Sequence, residues 1–341
     1  MKNENPILVA LSHGLKSDLF PSAGPGAAVL AIGFDGDVDD SLFPASVTTM
    51  VQYWAGPAAR LRALGYAVRG DVPADAAFDR VIIHTPKQMD EMQYLLAAGW
   101  RALRPGGDLI AVAANDAGGA RLGPVLRDAG LNISESSKAK CRVVRVIKND
   151  DVSVPPDWLA HGDFRVHPDT GMTTCPGLFS WDRVDAGSAL LRDHLPADLS
   201  GVGADFGCGY GFLSRTVLDR CAHVTCLHGL DADSRAVAAA GANMQSDGPR
   251  FCGHHVDIPS GSGLTGLDFI VMNPPFHTGA RESHDLGRAF IARAHEALRK
   301  GGTLVMVANA HLGYEADLLR LFSAVNKLYE GGVFKIYQCV K

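Results

Sequence analysis

A chain of 341 residues is too long for one ordinary hydrophobic core and predicts two domains. With 47% hydrophobic and 20% charged residues it has ample apolar material for packed interiors, which excludes wholesale disorder. The net charge of −5 argues against a protein that coats itself non-specifically with nucleic acid, so any nucleic-acid binding must use a local basic patch.

The sequence carries few targeting and redox signals. No apolar stretch reaches the roughly 20 residues needed to span a bilayer, and the first residues lack a leader-peptide pattern. The seven cysteines are scattered and form no C-x-x-C pair, which favours a reducing compartment. We therefore expect a cytoplasmic protein with no membrane partner. Cys252 with His254 and His255 could be read as a metal cluster, but no second ligand pair stands at zinc-like spacing, and we predict no metal.

Two stretches about 190 residues apart read alike, one from Phe78 to Asn115 and the other from Leu267 to Asn309. Each comprises an apolar run of strand length, a loop, an amphipathic helix, a Gly-Gly turn and a second apolar run. Such alternation indicates parallel strands that are covered on both faces. We interpret the repeat as two similar α/β domains that arose by duplication. The alternative is that any two α/β units look this similar.

The boundary between the domains is expected near 148–158, where Pro155 and Pro156 interrupt the pattern, giving domains 1–150 and 151–341. The chain ends in a predicted hairpin that turns at Gly331 and Gly332. Parallel strands closed by an antiparallel hairpin match the methyltransferase variant of the doubly wound sheet. The expected fold is α/β, with two tandem Rossmann-like class I methyltransferase domains, each a seven-stranded, mostly parallel sheet with an antiparallel terminal hairpin.

A glycine loop follows the first strand of the second domain and reads G-x-G-x-G over Gly207, Gly209 and Gly211, just after Asp205. Glycines let the backbone turn sharply beside a ligand, and the N-terminus of the next helix offers free N–H donors. The spacing is shorter than the G-x-G-x-x-G of dinucleotide binders. With the acidic residue before it, the loop resembles that of S-adenosylmethionine enzymes, in which Asp205 would accept hydrogen bonds through water from the methionine ammonium group.

Two more carboxylates end the next two predicted strands. Asp231 lies 20 residues beyond Gly211, where it can accept both ribose hydroxyls, a feature that a nicotinamide cofactor would share. Asp257 can meet an adenine amino group, or it is a turn residue at a strand end. The expected cofactor is S-adenosyl-L-methionine.

The segment Asn273, Pro274, Pro275 and Phe276 follows a buried strand in the fourth strand position, which lies beside the cofactor's methyl group in this fold. An exocyclic amino nitrogen conjugated to a ring is a poor nucleophile. Two acceptors, the Asn273 side-chain oxygen and the Pro274 carbonyl, would hold its hydrogens and aim the lone pair. The prolines stiffen the loop, and Phe276 offers a face for stacking a splayed-out base. The alternative is a proline-rich turn with Phe276 in the core.

At these residues the chain resembles the bacterial small-subunit (16S) ribosomal RNA guanine-N2 methyltransferase C family, with its large-subunit relative. The resemblance covers most of the chain and is most specific in the Phe276-His277 ending and in the Gly-Leu-Phe-Ser segment that closes at Ser180. It implies methylation of N2 of a guanine with S-adenosylmethionine, and a degenerate N-terminal domain beside an active C-terminal one. We also expect Ser188, in the matching segment after Asp185, to contact the cofactor.

The N-terminal domain lacks both motifs. Its glycine-loop position reads Leu30 to Asp37 without G-x-G-x-G, and its catalytic position reads His84-Thr-Pro-Lys87. We predict that this domain is non-catalytic and binds no cofactor. In the second domain, His228-Gly229-Leu230 is less apolar than the usual second strand, which blurs which relative the chain matches.

A basic segment runs from Lys138 to Lys148. Its five basic residues are Lys138, Lys140, Arg142, Arg145 and Lys148, and on one strand four of them would share a face. We hypothesise that Lys138, Lys140 and Arg142 bind RNA phosphates, together with Arg60, Arg62 and Arg69. The alternative is a solvated edge strand that lysines protect.

Three classes of function stay open at this point. The first is an rRNA guanine-N2 methyltransferase whose partner is the small subunit or, alternatively, the large-subunit (23S) rRNA. The second is an amino methyltransferase for protein glutamine or DNA adenine, which shares Asn-Pro-Pro but more often continues with Tyr. The third is an RNA-binding assembly factor without catalysis, against which the complete set of cofactor residues and Asn273 argues.

Overall fold

The computed structural model describes residues 5–17, 24, 26–149, 153–275 and 280–341, with the side chains of 280–284 left out. The chain divides into two compact units, Met1–Asp163 (unit 1) and Phe164–Lys341 (unit 2). The predicted boundary at 150–151 falls before this division, because Val154 and Trp158 pack in the core of unit 1.

Unit 1 is an α/β unit built on one sheet. Its elements are α1 (Pro6–Leu15), β1 (Val29–Ile32), β2 (Thr48–Val51), α2 (Ala55–Ala63), β3 (Ala67–Arg69), β4 (Phe78–His84), α3 (Met89–Ala102), β5 (Leu103–Ala114), α4 (Gly119–Asp128), β6 (Ile133–Lys138) and β7 (Cys141–Ile147). The strand order is β3-β2-β1-β4-β5-β7-β6. The first five strands are parallel, and β7 and β6 close the sheet as an antiparallel hairpin.

Unit 2 repeats this plan after a two-stranded ribbon. Its elements are β8 (Arg165–Val166), β9 (Thr173–Thr174), α5 (Ala186–His194), β10 (Gly201–Phe206), α6 (Phe212–Arg220), β11 (Val224–Asp231), α7 (Ser234–Asn243), β12 (Phe251–His255), β13 (Leu267–Met272), α8 (Ala280–Ala297), β14 (Leu298–Asn309), α9 (Glu315–Leu321), β15 (Ala324–Gly331) and β16 (Phe334–Val340). The strand order is β12-β11-β10-β13-β14-β16-β15. The expected fold, two seven-stranded, mostly parallel sheets with terminal antiparallel hairpins, is confirmed.

The central strands are apolar throughout because helices cover both faces of each sheet. In β13, Ile270 and Met272 pack in one core cluster, while Phe269 and Val271 pack in the cluster on the other face. This alternation is the reason why the strand reads as a continuous apolar run. The parallel order also brings the C-terminal ends of β10 to β13 to one edge of the sheet, where ligands bind in such folds.

Equivalent contacts recur in the two units. The Asp79 carboxylate accepts from the backbone N–H of Ala28 at 2.8 Å and pairs with Arg104. In unit 2, the Asp268 carboxylate accepts from the backbone N–H of Val202 at 2.7 Å and pairs with Arg299.

A second matched contact involves a lysine ammonium group. In unit 1 Lys148 donates to the Leu103 carbonyl, and in unit 2 Lys341 donates to the Leu298 carbonyl, each at 2.7 Å. These repeated side-chain contacts support a duplication, since the α/β plan alone does not require them.

One detail of the repeat differs from the sequence interpretation. The Gly-Gly pairs lie inside β5 and β14, where the strand register shifts, and do not form turns between a helix and a strand. Of the helices that the structure describes, none combines the length and the apolar composition that a membrane crossing requires.

Candidate active site

The glycine loop lies where the sequence places it, between β10 and α6. Gly207, Gly209 and Gly211 all have positive φ, of 77°, 54° and 94°, which L side chains rarely adopt. The N–H groups of Gly207 and Cys208 both donate to the carbonyl of Leu230, at 2.8 and 3.0 Å, and hold the loop over the end of β11. A Cβ at Gly209 would meet nothing within 4 Å, so the loop borders open space.

Asp205, next to the last residue of β10, is fully buried. Its Oδ2 accepts a hydrogen bond of 2.6 Å from the Ser214 hydroxyl, and its Oδ1 is buried with no hydrogen-bond donor among the described residues. Burial raises the pKa of Asp205 to about 7, and the nearby charge of Asp231 adds to this increase. A desolvated carboxylate with a free acceptor oxygen is a site for a cationic group.

Asp231 ends β11 and connects the glycine loop to that strand. Its Oδ2 accepts from the N–H of Gly209 at 2.8 Å, and its Oδ1 accepts from the N–H of Asp233 at 2.9 Å. Burial raises the pKa of Asp231 to about 6, although these hydrogen bonds oppose the increase. Each oxygen keeps a second lone pair for a ligand donor.

Asn273 follows β13 directly, and its side-chain amide has one fixed orientation. The Nδ2 donates to the Asp185 carboxylate at 2.9 Å and to the Ser188 hydroxyl at 2.8 Å. The Oδ1 is buried and receives no hydrogen bond from any described residue. Because both hydrogens of the amide nitrogen are engaged, the amide presents its oxygen as an acceptor.

The N-terminus of α5 supplies the two groups that hold this amide. Asp185 is the N-cap of the helix, and its Oδ2 also accepts from the N–H of Ser188 at 2.8 Å. A Cβ at Gly187 would stand 3.1 Å from that oxygen and 3.2 Å from the Phe334 ring. Glycine therefore lets the first turn of α5 lie close to the Phe334 ring. Sequence reasoning assigned Ser188 to the cofactor and gave Asp185 no role. The signal for Asp185 was present, since an aspartate before a helix is a typical N-cap.

One cleft brings several of these groups together. Among the residues that line it are Phe179, Asp185, Ser188, Gly207, Gly209 and Asn273. Three predicted cofactor residues are not part of its lining: buried Asp205, and Asp231 and Asp257 at or just beyond the ends of β11 and β12. Sequence reasoning also missed Phe179, a large apolar side chain that is 49% exposed and faces this cleft. Pro274 is buried and Pro275 exposed, while the predicted stacking residue Phe276 lies outside the described residues.

Comparisons with known proteins agree with this geometry. Residues 169–338 match the Methyltransferase small domain family, and residues 41–154 match its N-terminal domain. Ribosomal RNA small subunit methyltransferase C of Serratia proteamaculans is 30% identical over 316 residues, 89% of each chain. The Pseudomonas paraeruginosa enzyme of the same name is 32% identical over 266 residues, 76% of this chain and 79% of its own. The chain belongs to the ribosomal RNA small subunit methyltransferase C family.

A solved structure also shares the fold. The 16S rRNA N2 methyltransferase of T. thermophilus, in complex with AdoMet and guanosine, has a TM-score of 0.81 and 23% sequence identity. The match covers 99% of this chain and 92% of that one.

In this family member, unit 1 keeps the fold but fills the equivalent positions differently. Gly33, with φ of 79°, occupies the place of Gly207, but a Cβ there would lie 2.8 Å from the carbonyl oxygen of His84. His84 stands where unit 2 has Asn273, and its Nδ1 lies 3.2 Å from the Gly33 carbonyl oxygen. Burial lowers the pKa of His84. Gln52 replaces Asp231, and its amide donates to the Phe34 carbonyl at 2.7 Å.

The basic segment of unit 1 is a hairpin, so the single-strand interpretation is wrong. Ala139 and Lys140 have positive φ and reverse the chain between β6 and β7. Lys138 and Lys140 are exposed near the turn. Arg142 is held by Glu135 at 2.7 Å.

Other basic residues of the hypothesised RNA surface are also engaged. Arg145 pairs with buried Asp108 at 2.7 Å, and Lys148 donates to the carbonyls of Trp100 and Leu103. Arg60 and Arg69 pair with Asp35 and Asp71.

Proposed function

We propose that this chain transfers a methyl group from S-adenosylmethionine to the exocyclic N2 of a guanine in 16S rRNA. The observation that carries the proposal is the fixed Asn273 amide, whose buried oxygen has no donor among the described residues. An unsatisfied buried acceptor is costly to keep, so its presence favours a ligand N–H as its partner. Membership in the small subunit methyltransferase C family and the guanosine bound to the T. thermophilus enzyme support guanine as the substrate base.

The residues present fit S-adenosylmethionine. Asp205 has a buried oxygen without a donor among the described residues, to which a water could link the methionine ammonium group, and the open space beside Gly209 leaves room along the loop. We propose that Asp231, at the end of β11, accepts from the ribose hydroxyls and that Asp257, which follows β12, meets the adenine. The bound cofactor supplies a methyl group on a sulfonium, which needs only a correctly aimed nucleophile.

The chain's task is therefore to aim the amino nitrogen. Asn273 Oδ1 and the Pro274 carbonyl would accept the two N2 hydrogens and turn the nitrogen lone pair toward the methyl carbon. Asp185 and Ser188 keep the amide from flipping, which would present N–H groups to the substrate amine. The exposed ring of Phe179 offers a stacking face in the cleft, and Phe276 is proposed for the same task. As the N–C bond forms, the bond between the methyl carbon and the sulfonium sulfur would break and leave a neutral thioether, while the amino nitrogen would give up one proton to solvent.

Catalysis is assigned to unit 2 alone. In unit 1 the positions of Asp231 and Asn273 carry Gln52 and His84, and the His84 side chain contacts the Gly33 carbonyl. We propose that unit 1 binds no cofactor. Calorimetry should then find one S-adenosylmethionine per chain, and a stoichiometry of two would overturn this assignment.

The proposed partner is the small ribosomal subunit in the cytoplasm. Lys138 and Lys140 are exposed near the turn of the basic hairpin and are proposed to contact RNA phosphates. Arg142, which is paired with Glu135, is proposed to bind RNA with them.

The proposed reaction is tested by methyl transfer to small subunits, large subunits, naked rRNA, DNA and protein, followed by nucleoside mass spectrometry. The expected product is N2-methylguanosine in 16S rRNA with the wild-type chain and almost none with Asn273→Ala. Methylation of another base, of 23S rRNA or of protein would refute the substrate. Full activity of Asn273→Ala would refute the mechanism.

A further inference from the structure

A ladder of sulfur and imidazole side chains lies at the edge of the unit 2 sheet, and none of its four residues is among those that line the cleft. Cys226 and His228 belong to β11, and Cys252 and His254 belong to β12, the edge strand. The two strands are parallel, with His228 opposite Cys252 and Leu230 opposite His254. Because alternate residues of a strand share a face, all four side chains project from one face of the sheet.

Three of these side chains place donor atoms together. The ligand atoms of Cys226, His228 and Cys252 all lie within 4.8 Å of one another. Cys226 Sγ is 3.7 Å from His228 Nε2. In a tetrahedral zinc site a thiolate sulfur and an imidazole nitrogen stand about 3.5 Å apart, as Zn–S and Zn–N bonds of about 2.3 and 2.0 Å require. The observed arrangement of these side chains therefore needs little adjustment to bind an ion.

His254 contacts the ring nitrogen of His228 that faces away from Cys226, so it can orient His228 without being a ligand itself. Its Nε2 lies 2.9 Å from His228 Nδ1, so the two nitrogens of the His228 ring face different groups. With the proton on Nδ1, His228 donates to His254 and directs the lone pair of Nε2 toward Cys226. Metal-bound histidines commonly use the second ring nitrogen in this way, which fixes the tautomer and the ring orientation.

The surroundings suit a cation. The Cys226 and Cys252 sulfur atoms lie within 4.8 Å of each other, so an ion bound between them would offset the repulsion of two thiolates. Cys252 is exposed, which gives an ion access from solvent.

We propose that Cys226, His228 and Cys252 form a site for one transition-metal ion, of which Zn²⁺ fits the two-sulfur, one-nitrogen donor set best. The fourth position is open to water, and His254 orients His228. Each thiol loses its proton to solvent as its S–Zn bond forms. The ion clamps the edge strand β12 to β11, whose last residue is Asp231. Sequence spacing hid the site, because its ligands come from two strands that only the sheet brings together.

The test uses the full, tag-free chain, reduced and freed of metal by a chelator, with Zn²⁺ alone as the probe. Competition with a chromophoric chelator should give one Zn²⁺ per wild-type chain and none for Cys226→Ser or Cys252→Ser. His254→Ala should bind about 10- to 100-fold more weakly, as expected for an outer partner. The matched control is His255→Ala, since His255 follows on the opposite face of β12 and should leave binding unchanged.

Two further measurements separate this site from loss of folding and from surface histidines. Co²⁺ substituted for Zn²⁺ should show thiolate-to-metal charge-transfer absorption, and Zn²⁺ should raise the Tm of the wild type but not of a folded Cys226→Ser chain. Absence of Zn²⁺ binding by the reduced wild-type chain overturns the proposal. So does a stoichiometry that persists in the Cys226→Ser, Cys252→Ser double variant, which would place the ion on other groups.

Discussion

Replacing Asp185 with serine tests whether Asp185 orients the Asn273 amide, while the stability of helix α5 is kept. Serine is a good N-cap and keeps the start of α5 capped, but its shorter side chain cannot reach Asn273 Nδ2. The variant thus loses the 2.9 Å bond from Nδ2 to the Asp185 carboxylate and keeps the 2.8 Å bond to Ser188. A hydrogen bond to a charged group contributes about 1.5–3 kcal/mol, so kcat should fall about 10- to 150-fold.

The assay is methyl transfer to the rRNA substrate, with kcat and KM measured separately beside thermal unfolding. We expect the loss in kcat, with little change in Tm and a much smaller change in the KM for the cofactor. Asp185→Asn keeps an acceptor oxygen at the same distance and should restore kcat to within about fivefold of wild type. Wild-type kcat in Asp185→Ser would refute the reasoning. A parallel fall of kcat and Tm in both variants would assign Asp185 a purely structural role.

Three other predictions follow from the structure. Because the pKa of Asp205 is about 7 without a bound cation, lowering the pH from 7.5 to 6 protonates it and should weaken S-adenosylmethionine binding about eightfold in calorimetry. Asp205→Asn should bind weakly and lose most of this pH dependence, with about a twofold change left from Asp231, whose pKa is about 6; an unchanged dependence in the variant would contradict the assignment. Asp108→Asn removes the buried charge that Arg80 and Arg145 share inside unit 1. Urea titrations should show that it lowers the free energy of unfolding by about 3–5 kcal/mol. The control Asp71→Asn, at an exposed ion pair, should lower the free energy of unfolding by less than about 1 kcal/mol. Reversing the charges of Lys138 and Lys140 should weaken RNA binding and reduce the number of counterions released, read from the salt dependence of the affinity, by about two. Reversing the charge of Arg142, which is paired with Glu135, should have a smaller effect on both quantities. If the Arg142 variant weakened RNA binding as much as the lysine variant, the proposed phosphate contact would be refuted.

Much of the fold and part of the site were predictable from local pattern. Continuous apolar runs between amphipathic helices predict parallel strands, and a strand followed by G-x-G-x-G predicts the loop that carries Gly207 to Gly211. Asn273 was identified because its place after a buried strand and before two prolines is a local property. These features depend on residues that are neighbours along the chain, which is why the sequence alone is sufficient for them.

The sequence by itself therefore determined the two α/β units, the cofactor loop and the position of Asn273. Only the tertiary structure decided which way the Asn273 amide points, since its partners Asp185 and Ser188 lie 88 and 85 residues away. The turn at Ala139 and Lys140 likewise separates basic residues that a single strand would have aligned. The proposed metal ligands Cys226, His228 and Cys252 come together only because β12 pairs with β11 in one register. Contacts between distant segments follow from strand order and register, and no short window of sequence encodes either.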